Sequence, residues 1–176
     1  MRQFAKLSIT SPYNMNLDSP IYLDYNGTTP IDPGVAQAIL PYLTDQFGNP
    51  SSTHAYGRPA HEAMDAARRS VANFIGGSPD EIIFTGGGSE SDNLAIQGVA
   101  MALRSRGNHI ITQETEHPAV LKCCRYLQSR LGFEVTFLPV DGTGLVDPGA
   151  LAEAITSKTV LVSIMHANNE TGRQRR

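Results

Sequence analysis

Strand-like and helix-like segments alternate along the second half of the sequence, and this alternation constrains the fold more than any other feature. The hydrophobic pattern predicts strands at residues 81–84, 109–112, 133–137 and 159–165, and helices at residues 90–104, 118–131 and from 147 onward. Strands that alternate with helices form parallel sheets covered by helices. The sequence therefore predicts an α/β fold, and the uninterrupted apolar run of the last strand predicts burial on both faces.

The first part of the chain is predicted to be mainly helical. Apolar residues 21–23 predict a short strand, and the polar segment 24–30 predicts a turn. Asp32-Pro33 is a typical helix start. A stripe of apolar residues over 60–74 predicts a second helix, which Gly76 ends.

Composition narrows the class of protein. The chain has 176 residues, 40% of them hydrophobic, and a formal net charge of -3. Basic and aromatic residues are not interleaved, so no nucleic-acid partner is indicated. No apolar run reaches the roughly 18 residues of a membrane span, and we expect a cytoplasmic protein, with an organelle not excluded. Residues 1–19 are predicted to be a disordered tail. The adjacent Cys123 and Cys124 are expected to be buried in a helix face, and no metal site is predicted.

A glycine-rich segment, T-G-G-G-S-E-S-D-N at residues 85–93, separates a predicted strand from a predicted helix. Such a turn exposes the first N–H groups of the helix, which favour an anion. The segment lacks the lysine of nucleoside-triphosphate loops, and Ser91 replaces the third glycine of dinucleotide loops. A ligand with a single phosphate, held near Gly87, Gly88 and the Ser89 hydroxyl, fits it best. The alternative is a plain turn in which Ser89 caps the helix.

Polar residues also follow two other predicted strands. His117 precedes a helix, where it is either structural or able to stack on an aromatic cofactor and transfer protons. Asn168, Asn169 and Glu170 follow the last strand. There an asparagine either caps a turn or forms a hydrogen bond with a cofactor hydroxyl. Because the ends of parallel strands meet at one edge, we expect these loops to converge with the glycine segment.

The chain resembles the cysteine desulfurases of the NifS/IscS type, in order from Ile21 to Gly172. The segments that carry the resemblance are D-Y-N-G-T-T-P (24–30), F-G-N-P-S-S (47–52), F-T-G-G-G-S-E-S-D-N (84–93), T-E-H (115–117) and S-I-M-H-A-N-N-E-T-G (163–172). Selenocysteine lyases are close relatives with similar segments. The resemblance implies a pyridoxal 5'-phosphate enzyme of the class V aminotransferases, usually a homodimer. Its fold would be the three-layer large domain of fold-type I transferases.

The resemblance also implies roles for particular residues. Gly88 and Ser89 would hold the cofactor phosphate, His117 would stack on the cofactor ring and move protons as a catalytic residue, and Asn168 would contact both cofactor and substrate. Asn26, Gly27 and Thr28 would lie near the substrate, L-cysteine. Residues 20–50 would form a segment on the substrate side, and residues 51–176 the first part of the cofactor-binding domain. The sulfur would pass to an acceptor or scaffold protein.

Three functional residues of the family have no counterpart here. Its cofactor-binding lysine, its pyridinium aspartate and its catalytic cysteine normally lie beyond the point where this chain stops, and none of Lys6, Lys122 and Lys158 stands in a Ser-x-His-Lys context. We therefore expect a domain that is incomplete at its C-terminus, inactive alone and weak in cofactor binding. The alternatives are a selenocysteine lyase fragment, a non-catalytic truncated isoform that dimerises with a full-length subunit, and a non-catalytic anion-binding module. The family often has alanine at position 27 and threonine at position 89; both changes are mild.

Overall fold

The computed structural model describes residues 20–172 and residue 174, in two compact units. The first unit ends at Ile83 and the second begins at Phe84. The predicted tail at residues 1–19 lies outside the described residues. None of the helices in the described part of the chain is long and apolar enough to cross a membrane.

Two helices dominate the first unit, α1 (Pro33–Thr44) and α2 (Gly57–Ile75), and a short 3-10 helix (Pro79–Glu81) follows them. Asp32 caps α1, since its Oδ1 accepts hydrogen bonds from the N–H groups of Gly34 at 2.8 Å and of Val35 at 3.3 Å. Gly76 ends α2 in the left-handed conformation, with φ 74°. The two helices predicted from the sequence are therefore confirmed.

Two predicted strands are not formed. Residues 21–23 have no strand partner among the described residues, and Ile21 and Leu23 are 75% and 82% exposed. The predicted strand at 81–84 begins in a helical turn, because the Glu81 carboxylate accepts a hydrogen bond from the Ser78 N–H at 2.7 Å. This local capping interaction outweighs the β preference of the apolar residues that follow. Both predictions were wrong, and neither segment pairs with a strand among the described residues.

The second unit is a parallel α/β structure. Its elements are α3 (Gly88–Ala102), β1 (His109–Gln113), α4 (Pro118–Leu131), β2 (Glu134–Leu138), α5 (Pro148–Ala154) and β3 (Thr159–Val162). The sheet has the order β2-β1-β3, and β1 pairs in parallel with both neighbours. The predicted fold class is confirmed, although α3 begins two residues earlier than expected.

Helices cover both faces of this sheet. Ile110 packs in a core cluster with residues of α3 and α4, whereas Ile111 packs with Val146, Leu138 and residues of α5. Successive residues of a strand point to opposite faces, so this division is what a central strand between two helical layers requires. The described unit therefore has three layers.

The last strand differs from its prediction. β3 ends at Val162 instead of Met165, and it is half-buried instead of covered on both faces. It lies at the edge of the described sheet and pairs only with β1, which leaves Val162 39% exposed. Beyond it, the Ser163 N–H still donates to the Ile111 carbonyl at 2.9 Å. The half-exposed character predicted for β2 is confirmed.

A buried histidine joins all three strands where β1 begins. The Nδ1 atom of His109 lies 2.8 Å from the Thr159 hydroxyl on β3, and its Nε2 lies 2.9 Å from the Thr136 hydroxyl on β2. Both ring nitrogens are therefore satisfied away from water, as a buried polar side chain requires. This role is structural and was not predicted from the sequence.

Candidate functional site

The glycine segment leads directly into α3. Gly88 is its first residue, and the first hydrogen bond of the helix runs from the Ser91 N–H to the Gly87 carbonyl at 3.1 Å. Within the described part of the chain, the N–H groups of Gly88, Ser89 and Glu90 have no acceptor. Open space surrounds Gly87 and Gly88, where an added Cβ would meet no atom within 4 Å. A helix start with free N–H groups and room beside it can receive an anion.

Side chains of the same segment fix its shape. The Thr85 hydroxyl lies 2.6 Å from the Ser91 hydroxyl and donates to the Gly87 carbonyl at 3.2 Å. The Glu90 carboxylate accepts from the Gly86 N–H at 2.7 Å, so this amide is already occupied. An anion is therefore limited to the N–H groups that follow Gly86. The alternative in which Ser89 caps α3 was wrong, because Gly87 holds the capping position and Ser89 lies inside the helix.

Ser89 and His117 line one groove between α3 and α4, with a volume of about 390 Å³. On α3 the groove is lined by Ser89, Asn93 and Gln97, which are spaced four residues apart. Asn93 donates to the Ser89 carbonyl at 2.8 Å, and Gln97 donates to the Asn93 side chain at 3.0 Å. This polar row was not recognised in the sequence, although its four-residue spacing is the signal that reveals it.

His117 caps α4. Its Nδ1 accepts a hydrogen bond from the Ala119 N–H at 3.1 Å. An accepting Nδ1 carries no proton, so the neutral ring carries its proton on Nε2. The ring is exposed, and Nε2–H is the atom that it can present to a ligand.

Asn168 forms a turn and joins two loops. Its Oδ1 accepts from the N–H groups of Glu170 and Thr171, both at 2.9 Å. Its Nδ2 donates to the Thr115 carbonyl at 3.0 Å and to the Met165 sulfur at 3.3 Å. Asn168 therefore caps a turn, which is one of the two roles that the sequence indicated. Its side chain also brings the Asn168 loop and the His117 loop together. A thioether is a weak acceptor, so the bond to Met165 is the one that a ligand oxygen would replace.

Asn26, Gly27 and Thr28 lie in the first unit and are exposed. They form the predicted turn, in which the N–H groups of Gly27 and Thr28 donate to the Asp24 carbonyl at 3.0 and 3.4 Å. An added Cβ at Gly27 would lie 2.7 Å from the Asp24 carboxylate. The placement of these residues near a substrate stays a prediction.

The two thiols are buried, as predicted. Burial raises the pKa of Cys124 to about 12, and the nearby Cys123 and Glu116 add to the shift. Burial likewise raises the pKa of Cys123. Nucleophilic attack requires a thiolate, so neither cysteine is suited to it. In residues 20–172 and 174, no group of three or more His, Cys, Asp or Glu residues is placed to hold a metal ion.

Comparison with known proteins identifies similar sequences and structures. The sequence pattern of the class-V aminotransferases matches residues 21–175. The chain is 54% identical over 152 residues to the cysteine desulfurase IscS of Dictyoglomus turgidum, covering 86% of this chain and 38% of that protein.

Two solved structures share the fold. A NifS-like protein has a TM-score of 0.80 at 41% identity, over 85% of this chain and 41% of its own. A structure described as SspA in complex with cysteine has a TM-score of 0.79 at 42% identity, over 85% of this chain and 43% of its own. The chain thus spans about two fifths of the length of the relatives it matches.

Proposed function

We propose, from the premise that this chain belongs to the class-V aminotransferase family, that it carries the phosphate-binding part of a pyridoxal 5'-phosphate-dependent cysteine desulfurase. The observation that carries the proposal is the groove shared by Ser89 and His117. It lies where α3 begins, beside N–H groups that have no acceptor within the described chain.

The residues of this groove fit the cofactor. The N–H groups of Gly88 and Ser89, with the Ser89 hydroxyl, are donors of the kind that bind a phosphate. His117 would face the cofactor ring and would hold or move a proton at Nε2. Asn168 Nδ2 would donate a hydrogen bond to the cofactor and would lose its weak bond to the Met165 sulfur. When bound, pyridoxal phosphate draws electrons from the Cα of a substrate amino acid.

The substrate proposed is L-cysteine, and the sulfur would pass to an acceptor or scaffold protein. Support comes from relatives described as cysteine desulfurases and from a similar structure described as a complex with cysteine. The family match also supports a homodimer and a substrate-side place for Asn26, Gly27 and Thr28.

Equilibrium dialysis with two ligands tests the phosphate cradle. Pyridoxal 5'-phosphate and pyridoxal differ only in the phosphate, so their difference isolates the phosphate site. Ser89→Ala removes a hydroxyl that would donate to a charged group, and we expect it to weaken binding of pyridoxal 5'-phosphate about tenfold. Ser89→Thr keeps the hydroxyl and should bind like the wild-type chain. Binding of pyridoxal should be the same in all three.

Two results would contradict the proposal. Equal affinity of the wild-type chain for the two ligands would mean that the phosphate makes no contribution. An unchanged affinity for pyridoxal 5'-phosphate in Ser89→Ala would remove Ser89 from the site.

A further inference from the structure

Two hydrogen bonds join the Asn168 loop to the His117 loop, and in both the donor lies in the Asn168 loop and the acceptor in the His117 loop. The Glu116 carboxylate accepts from the Met165 N–H, and the Asn168 Nδ2 donates to the Thr115 carbonyl at 3.0 Å. The bonded residues are 49 and 53 positions apart in the sequence. Each bond connects the end of β1 with the segment that follows β3.

We propose that Glu116 is a positioning residue, whose carboxylate holds the loop of His117 against the loop of Asn168. The importance of this contact for cofactor binding rests on the proposed function. Glu116 does not line the groove of Ser89 and His117, so it would act through its neighbours and would not touch a ligand.

Glu116 is buried in the structure. The residue is 7% exposed, while Thr115 and His117 on either side are exposed. A carboxylate loses strong hydration when it is buried, and this loss is offset only by good hydrogen bonds. A bond from a backbone N–H to a carboxylate is also stronger than one to a neutral acceptor, which suits a cross-link between two loops.

The side chains of His117 and Asn168 are each held within their own loop. The His117 ring is already fixed at Nδ1 by the Ala119 N–H. Asn168 is fixed at Oδ1 by the N–H groups of its own turn. Each side chain is therefore oriented within its own loop. Beyond the pairing of β1 with β3, the bonds of Glu116 and Asn168 are what set the separation between them.

Three variants test this role. Glu116→Ala removes the acceptor of the Met165 N–H, whereas Glu116→Gln keeps a carbonyl oxygen in the same place without the charge. Asn108→Ala is the matched control, because it removes a bond between loops at the other end of β1, from Asn108 Nδ2 to the Gly132 carbonyl at 3.3 Å. The readouts are hydrogen exchange of the Met165 amide by NMR, the chemical shift of the Asn168 side-chain amide, and affinity for pyridoxal 5'-phosphate.

We expect Glu116→Ala to speed exchange at Met165 about tenfold, as the loss of a hydrogen bond to a charged group implies. It should also shift the Asn168 side-chain amide signal and weaken binding of pyridoxal 5'-phosphate several-fold. Glu116→Gln should restore most of all three properties. Asn108→Ala should leave all three as they are in the wild-type chain.

Three results would overturn the inference: unchanged exchange at Met165 in Glu116→Ala, no rescue by Glu116→Gln, or an equal loss of affinity in Asn108→Ala. Exchange at Met165 and the Asn168 signal require no cofactor. They therefore decide whether Glu116 joins the loops even if the Ser89 experiment contradicts the proposed function.

Discussion

Replacing Thr112 by valine should stabilise the chain. Thr112 lies in the central strand β1 and is fully buried. Its hydroxyl has no hydrogen-bond partner within the described part of the chain. It follows Ile110 by two positions, so it points to the same face of the sheet, toward the apolar cluster of α3 and α4. A hydroxyl in such a place has lost its hydration without compensation.

The expected gain follows from two terms. An unsatisfied buried polar group costs about 1–3 kcal/mol, and a methyl group in its place adds about 0.8 kcal/mol of apolar burial. Repacking around the new methyl group will consume part of this sum. We therefore expect a net gain of about 1.5 kcal/mol in the free energy of unfolding. For a chain of this length, that gain should raise the Tm by about 3–6 °C.

Thr136→Val is the control. It makes the same chemical change in the neighbouring strand, but the Thr136 hydroxyl lies 2.9 Å from the His109 Nε2. Its loss leaves a buried ring nitrogen without a partner and should cost about 1–3 kcal/mol. Urea unfolding followed by circular dichroism should therefore show midpoints displaced in opposite directions for the two variants.

A loss of 1 kcal/mol or more in Thr112→Val would refute this reasoning, because it would mean that the hydroxyl has a partner in solution. Equal effects of the two valine substitutions would refute it as well. The common effect would then come from valine and not from the hydrogen-bonding state of the hydroxyl.

Three further predictions concern stability. The Cys124 thiol has a higher pKa in the folded chain than in the unfolded chain, so its stabilising effect is complete below pH about 8.5 and is lost as the pH rises toward 12. Urea unfolding at several alkaline pH values should show a decline of up to about 1.4 kcal/mol per pH unit from this thiol, and a shallower decline in Cys124→Ala. Gly107→Ala should destabilise by about 2 kcal/mol or more in the same assay, because the new Cβ would lie 2.2 Å from the Lys158 carbonyl, a backbone atom. Gly27→Ala should cost less than about 1 kcal/mol, because the Asp24 carboxylate that it meets can rotate away; a larger loss would show that this turn is rigid.

Helix boundaries were predictable because their signals are local. Asp32 and Pro33 start α1, and Gly76 ends α2, through interactions that span only a few residues. The segment at 81–84 was not predictable in this way, because a strand depends on a partner distant in sequence. Glu81 instead forms a capping interaction three residues away. Likewise, an apolar run indicates that a segment is a strand but not how many neighbours will cover it, so the exposure of β3 was missed.

The candidate site was partly predictable from topology. Parallel strands bring their ends to one edge, which correctly indicated that the loops of His117 and Asn168 meet. The orientation of each side chain was not predictable. The Asn168 amide is used within the protein at both ends: its nitrogen donates to the Thr115 carbonyl, 53 residues away, and its oxygen accepts from the N–H groups of its own turn. Glu116 stands in the T-E-H segment, but its role was not predictable because the sequence does not show that this carboxylate is buried.

An NMR titration decides whether the start of α3 binds the phosphate of pyridoxal 5'-phosphate. Backbone amide signals of the chain would be followed as pyridoxal 5'-phosphate is added, with pyridoxal as the control ligand. We expect Gly88 and Ser89 to show the largest shifts and the His117 ring signals to move with them, whereas pyridoxal should leave the two amides unchanged. Unmoved signals at Gly88 and Ser89, with the largest shifts elsewhere in the chain, would contradict this expectation.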